Sequence, residues 1–175
     1  MVEQLLALDA IVSRKLILPR GSAWWPLARV LAHLGDGPNV FGALLLAALL
    51  SWFWQDIFLL WSIFIIGLIV FVTLLLVTGI KFFIKRQRPQ PPGEFVVFQY
   101  DAYSFPSGHS ARMAALAVGA IFFYPALGWI LVGLTLGVAI ARIVVGIHYL
   151  SDVLVGLGVG IIVAWIGVTL SWLIF

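Results

Sequence analysis

Three short polar patches interrupt an otherwise apolar chain. Lys81 with Arg88-Pro89 forms the first, Pro106-Ser107-Gly108-His109 the second, and Arg142, His148 and Asp152 the third. Two histidines, three cations, a carboxylate and a Ser-Gly turn could together bind and cut a phosphate ester. Ionisable residues beside lipid are costly, so they persist at helix ends or where they do chemistry.

Each patch suggests a role beside a plainer alternative. Lys81 and Arg88 are seven apart and share a helix face for as long as the helix lasts. Two cations on one face can hold a dianion, with Arg adding bidentate geometry. The alternative is basic side chains snorkelling from a helix end, as Lys85 and Arg86 are expected to do. Ser107 and Gly108 open a helix whose first N–H groups favour an anion, and Gly108 allows close approach. The alternative is simple capping by Ser107 after Pro106. His109 falls in the first turn and needs a partner if buried. Arg142 lies several residues inside an apolar run and requires an anion, either a substrate or Asp152 in a structural ion pair. His148 and Asp152 are four apart, so they can meet on a continuous helix or across the turn at 149–151. A carboxylate on one imidazole nitrogen fixes the tautomer and makes the other nitrogen the better nucleophile; alone, such a pair is more often structural.

The elements that must position these residues are membrane helices. The 175-residue chain is 63% apolar and 10% charged, with a mean hydropathy of +1.16. That composition excludes an ordinary soluble domain and leaves room for one membrane domain over residues 1–175. The net charge of +3 comes without a basic, aromatic-interleaved polar surface, so nucleic acid is not expected as a partner. The absence of Cys excludes a thiol nucleophile, disulfides and Cys-ligated metal. The N-terminus carries its acidic residues first and its basic ones after the apolar stretch, the reverse of a signal peptide.

A helical span takes about 20 apolar residues. Five candidates fit, over residues 38–55, 57–84, 108–124, 126–147 and 152–175. The fold class is therefore all-α, a polytopic helix bundle of about five transmembrane helices with its site at one membrane face. Residues 1–36 differ. Leu5, Leu8, Val12 and Leu16 form one helical stripe, with Asp9, Arg14 and Lys15 elsewhere on the surface, and Trp24-Trp25 opens a second short segment. Both are expected to be helices lying along the interface or partly re-entering it. Gly35-Asp36-Gly37-Pro38 makes a turn into the first span. Residues 87–105 form the one long polar loop, where Pro89, Pro91 and Pro92 stop the preceding helix. Its aromatic residues, Phe95, Phe98, Tyr100, Tyr103 and Phe105, rest on headgroups or guide a lipid tail. Gly133/Gly137 and Gly156/Gly160 have the spacing that lets helices approach closely. They are expected to pack the last two spans together; a homo-oligomer contact is the alternative.

Topology draws the patches together. With five spans, the second ends where the third begins, and the fourth ends there as the fifth starts. The motif segments 81–89, 106–109 and 142–152 therefore share one membrane face, whereas unrelated polar residues would scatter to both.

The sequence resembles the type 2 phosphatidic acid phosphatase superfamily, the lipid phosphate phosphatases. Their first motif, Lys, six residues, Arg-Pro, is matched from Lys81 to Pro89; Pro-Ser-Gly-His is matched by Pro106 to His109. The third, Ser-Arg, five residues, His, three residues, Asp, is matched by Arg142, His148 and Asp152, with Ala141 in place of Ser. That replacement removes a possible hydroxyl contact to phosphate. The resemblance implies a helical fold and hydrolysis of a lipid phosphate or pyrophosphate through a phosphohistidine, without metal or other cofactor. Carried over, His148 attacks phosphorus and Asp152 orients it. His109 protonates the leaving oxygen and later activates water. Lys81, Arg88, Arg142, Ser107 and the Gly108 backbone hold the phosphoryl group.

The expected partners are membrane lipids and a phosphorylated lipid substrate. Phosphatidic acid, phosphatidylglycerophosphate, an isoprenyl pyrophosphate and phosphorylated lipid A all fit. A lipid phosphotransferase and a non-catalytic protein of the same fold are the alternatives. A prokaryotic cell (inner) membrane is the expected location. Arg14, Lys15, Arg20, Arg29, Lys85, Arg86 and Arg112 all lie on or near the catalytic face, which points to a cytoplasmic site. Many bacterial members of the family are thought to face outward, so the side stays open.

Overall fold

The computed structural model describes residues 2–90 and 102–174. Those residues form seven helices in order: α1 (Val2–Lys15), α2 (Trp25–Leu34), α3 (Gly37–Trp54), α4 (Ile57–Ile84), α5 (Gly108–Phe123), α6 (Pro125–Val144) and α7 (Leu150–Ile174). The protein is an all-helical integral membrane protein. α3, α4, α6 and α7 are long and apolar enough to cross a bilayer. Large side chains such as Leu45, Phe64, Ile140 and Trp165 point away from the protein, as lipid-facing residues do.

The third expected span, α5, is shorter at 16 residues and is the axis of the bundle. It packs against α4, α6 and α7. Small residues make that possible: Ala111, Ala114, Ala115, Ala117 and Ala120 are all buried on it. Its neighbours contribute Ile66, Ile69, Val70, Val138, Ala164 and Val168 to the central core. The close approach is tightest along α7. A Cβ on Gly156 would sit 2.5 Å from the Ser107 carbonyl oxygen, and one on Gly160 would collide with the Ala111 carbonyl. The second glycine pair therefore serves α5, not the expected contact between the last two spans. Of the first pair, Gly137 faces Leu31 of α2 and Gly133 has nothing within 4 Å.

Helix ends decide where the polar residues go. α4 stops at Ile84, before any proline, because Lys85 takes a left-handed conformation at φ 53°. The expected shared helix face thus ends before Arg88, which reaches the site on the chain beyond the helix. α6 stops at Val144, short of the expected boundary, and Gly146 turns the chain at φ +79°. A side chain there would be strained, so glycine frees Ile147 and His148 into a tight connection to α7. All ten Lys and Arg residues lie in the half of the bundle holding these ends. The far end carries the 54–57 and 123–125 connections, where Asp56 caps α4 by accepting the Leu59 N–H at 2.9 Å.

The N-terminal helices close the polar end. α2 packs Ala28 and Ala32 against Ala141, Val145 and Ile147. Ala141 is thus part of an apolar seam, where a hydroxyl would have to find a partner. α1 lies on α7 and turns the stripe of Leu5, Leu8, Val12 and Leu16 outward. Asp9, expected on the surface, instead faces the protein. Of the loop aromatics, Phe95, Phe98 and Tyr100 lie outside the described residues; Tyr103 packs edge-on to Phe82 at 6.0 Å between ring centres.

Gly156→Ala and Gly160→Ala should each destabilise the detergent-solubilised protein by about 1–3 kcal/mol through overpacking, whereas Gly133→Ala should change little. Thermal unfolding of the three variants checks this; equal effects at all three positions would contradict the α5–α7 packing.

Candidate active site

The site is assembled where α4 and α6 end and α5 and α7 begin. Lys81, in the last turn of α4, is 2% exposed and donates from Nζ to the Tyr103 carbonyl at 2.5 Å. Arg88 donates to the Ile147 carbonyl at 3.1 Å and to the Tyr103 carbonyl at 3.5 Å. Ser107 is the N-cap of α5, and its backbone N–H donates to the Asp152 carbonyl at 2.9 Å. A Cβ on Gly108 would meet Lys81 Cε at 3.9 Å, so the helix start lies against the lysine stem. Arg142, 3% exposed, donates to the Ala32 carbonyl at 3.2 Å.

His148 is the meeting point. Its Nε2 lies 3.4 Å from Arg88 Nη1 and 3.4 Å from Arg142 Nη2. A guanidinium has only donors, so Nε2 presents its lone pair to both and the ring proton belongs on Nδ1. Nδ1 faces Asp152 Oδ2 at 3.5 Å. His148 and Asp152 are both fully buried. Burial, then the charges of Arg142, Arg88 and Lys81, hold the His148 imidazole well below its ordinary 6.5. The ring is therefore neutral at pH 7.

Asp152, in the first turn of α7, is fixed through both oxygens. Oδ2 accepts the Tyr149 N–H at 2.9 Å, and Oδ1 accepts Arg86 Nη1 at 2.7 Å. Arg86 was expected to snorkel; its side chain is instead 16% exposed and bridges Asp152 to Asp9, whose Oδ2 it meets at 2.7 Å. Its guanidinium also lies over the Tyr149 ring at 3.9 Å. Asp9 accepts hydrogen bonds from the Ser151 N–H and hydroxyl. Burial would raise the Asp9 carboxyl, but the bonds from Ser151 and Arg86 outweigh it and lower the group. The ion pair of Asp152 is thus with Arg86, not with Arg142.

His109 meets a partner that none of the motifs contains. Its Nε2 lies 2.5 Å from Asp36 Oδ1, and the other carboxylate oxygen lies 2.9 Å from His33 Nδ1. Burial would raise the Asp36 carboxyl; hydrogen bonds with His109 and His33 prevail and bring it to about 2. The adjoining Gly35 carbonyl accepts Arg112 Nη2 at 2.9 Å and Nε at 3.3 Å. Arg112, 6% exposed, stands one turn beyond Gly108, where a Cβ would meet its Nη1 at 3.3 Å.

All eight residues singled out in the sequence therefore converge: Lys81, Arg88, Ser107, Gly108, His109, Arg142, His148 and Asp152. Four others escaped: Asp9, Asp36, Arg86 and Arg112. Arg86 reads as a snorkelling side chain, Arg112 as one of the basic residues on or near the catalytic face, and Asp36 as part of a turn. A carboxylate beside an apolar stripe was the available signal for Asp9. Among the described residues, no group of three or more His, Cys, Asp or Glu side chains converges as metal ligands would.

A sequence model of the PAP2 superfamily matches residues 58–174, and the chain belongs to that family. It is 30% identical over 106 residues to the lipid A 1-phosphatase of Rhizobium etli, covering 54% of this chain and 46% of that protein. It is 40% identical over 84 residues to the decaprenylphosphoryl-5-phosphoribose phosphatase of Mycobacterium tuberculosis, 46% of this chain and 45% of that one. The match thus spans about half the length of these curated relatives. In fold, the chain resembles a PAP2-type phosphatidylglycerolphosphate phosphatase from Bacillus subtilis. The TM-score is 0.80 and the identity 23%, over 98% of this chain and 88% of that one. For LpxE of Aquifex aeolicus the TM-score is 0.73 and the identity 24%, over 93% and 95%.

Removing Arg86 strips the fully buried Asp152 and the part-buried Asp9 of the cation between them. Arg86→Met should cost about 3–5 kcal/mol of stability, and Asp9→Asn in that background should recover part of it. A double-mutant cycle by denaturation in detergent measures this; additive losses would show that the three groups do not act as one network.

Proposed function

We propose that the protein hydrolyses a lipid phosphate or pyrophosphate monoester without metal, through a phosphohistidine on His148. The observation that carries this reading is the setting of His148. Its Nε2 lone pair lies between two guanidinium groups at 3.4 Å, with Asp152 behind Nδ1. A phosphoryl dianion drawn in by Arg88 and Arg142 would meet that nitrogen first.

The steps follow from the groups at hand. His148 Nε2 attacks phosphorus, and the bond to the leaving lipid oxygen breaks. His109, as imidazolium, gives that oxygen its proton. Lys81, Arg88 and Arg142, with Ser107 and the Gly108 N–H, balance the charge on the three equatorial oxygens. Asp152 balances the charge that develops on the His148 ring. Water then attacks the phosphohistidine, His109 takes a proton from it, and inorganic phosphate leaves with His148 restored. Positioned cations supply the charge stabilisation that phosphoryl transfer chiefly needs.

The substrate class is a lipid whose phosphate lies in the headgroup layer. The site's position at one end of an apolar bundle supports it, as do relatives named for lipid A, decaprenylphosphoryl-5-phosphoribose and phosphatidylglycerolphosphate. Residues 1–175 are read as one domain, with 1–36 bedded in the interface, in the inner membrane of a prokaryotic cell.

The test is phosphate release by purified protein in detergent with EDTA. The panel is phosphatidic acid, phosphatidylglycerophosphate, an isoprenyl pyrophosphate and phosphorylated lipid A. Wild type should release phosphate from at least one, and His148→Ala should fall to background. The pH dependence of kcat/KM should be bell-shaped. Its acid limb should fall well below 6.5, because burial and three cations keep His148 neutral there. Release that survives His148→Ala, or an acid limb at or above 6.5 with chemistry rate-limiting, would contradict the mechanism.

A further inference from the structure

We infer that Asp36 is the positioning residue for His109, its carboxylate holding Nε2–H so that Nδ1 carries the proton exchanged with substrate. Asp36 lies outside the three motifs and outside residues 58–174, which the family model matches. The inference rests on the acid–base role proposed for His109.

Geometry supports it at both ends. A carboxylate offers only acceptors, so at 2.5 Å from Oδ1 the His109 Nε2 must bear hydrogen. That fixes the ring by one nitrogen and assigns the other to the substrate. The imidazolium form gains an ion pair with Asp36, which favours the form that gives the leaving oxygen its proton. After transfer, Nε2–H stays on Asp36 while Nδ1 accepts the proton of the attacking water. No net proton is left behind.

Asp36 is itself held. It is the N-cap residue of α3 but makes no side-chain cap bond to that helix, so both oxygens turn to histidines instead. His33 takes Oδ2 at 2.9 Å. The peptide just before it is gripped by Arg112, which donates twice to the Gly35 carbonyl. A few residues upstream, Arg142 holds the Ala32 carbonyl at 3.2 Å. Arg112 belongs to the same helix as His109, so the α2–α3 corner is tied to α5 at two points one turn apart. A Cβ on Gly35 would lie 3.1 Å from His109 Cβ, which leaves little freedom for the ring to swing. A capping role would have turned the carboxylate toward the first N–H groups of α3, which it does not approach. The device therefore serves His109 and not the helix.

The experiment uses the full chain and two substrates that differ in their need for an acid. An alkyl lipid phosphate leaves as a strongly basic alkoxide and requires protonation; 4-nitrophenyl phosphate leaves as a stable phenolate and does not. Single-turnover release of the alcohol or phenol isolates the first step. Asp36→Asn should slow alcohol release by about 10- to 100-fold, part of what acid catalysis supplies, with KM and nitrophenol release nearly unchanged. Asp36→Glu should restore part of the loss. Equal losses on both substrates would mean a merely structural role, and a variant as fast as wild type would dismiss any role; either result overturns the inference. A readout independent of turnover separates this from the proposed activity. The chain has three histidines, so ¹⁵N-histidine spectra in micelles can be assigned with His33→Gln and His148→Gln. His109 should carry hydrogen on Nε2 at neutral pH in wild type and lose that preference in Asp36→Asn. A bare Nε2 in wild type would overturn the inference even in an active enzyme. An inactive wild type would count against the proposed function while this spectrum still decided the role of Asp36.

Discussion

A carboxylate buried completely between apolar helices needs a fixed cation, and Arg86 is that cation for Asp152. The rest of the polar end depends on this pair. In a low-dielectric interior an unmatched charge is strongly destabilising, whereas a paired and fully hydrogen-bonded one can be tolerated. Arg86 is itself nearly enclosed, so it draws Asp9 from α1 to balance it, and Ser151 completes the bonding of Asp9. The result is an alternating row, Asp9, Arg86, Asp152 and His148, in which each member is aligned by the next. With Nδ1 turned toward Asp152, His148 keeps Nε2 between Arg88 and Arg142. A second row, His33, Asp36 and His109, begins on α2. Both rows start in the N-terminal 36 residues. That segment is therefore one wall of the site and not an accessory to the bundle.

Much of this was legible in the sequence because the membrane simplifies the reading. Apolar runs of spanning length gave the bundle, and alternation of their ends put the three patches on one face before any contact was known. Lys81, Arg88, His109, Arg142, His148 and Asp152 stood out because charge in such surroundings demands a reason. What escaped was pairing across the chain. Nothing near Arg86 distinguishes it from Lys85, yet the left-handed turn at Lys85 sends Arg86 inward to residues 66 and 77 positions away. Asp36 reads as a turn residue because Gly-Asp-Gly-Pro is ordinary turn composition; its partner is 73 positions away on another helix. Glycine spacing misled in a related way. It announced close packing at Gly156 and Gly160 but could not say that the partner was α5, since every neighbouring helix is equally apolar. The end of α6 was misplaced because Val144 to Ile147 are as hydrophobic as the helix before them, and only the φ of Gly146 breaks it.

The fold and the chemistry constrain each other. Small residues on α5 and α7 bring the two backbones close enough for the Ser107 N–H to bond the Asp152 carbonyl, which joins the turn before α5 to the start of α7. Long cationic side chains then cover the remaining distance from the ends of α4 and α6. Ala141 completes the apolar seam with α2 that lets Arg142 reach the Ala32 carbonyl, so the residue that departs from the family motif serves the packing of the N-terminal wall.

The central claim is that His148 becomes covalently phosphorylated. The most direct measurement is rapid acid-free quenching of the purified protein with a radiolabelled lipid phosphate, followed by mapping of the labelled residue by mass spectrometry. The account predicts an acid-labile, base-stable phosphoryl group on His148 that forms before inorganic phosphate appears and decays as it is released. Phosphate release with no labelled residue, or with the label on any other side chain, would contradict it.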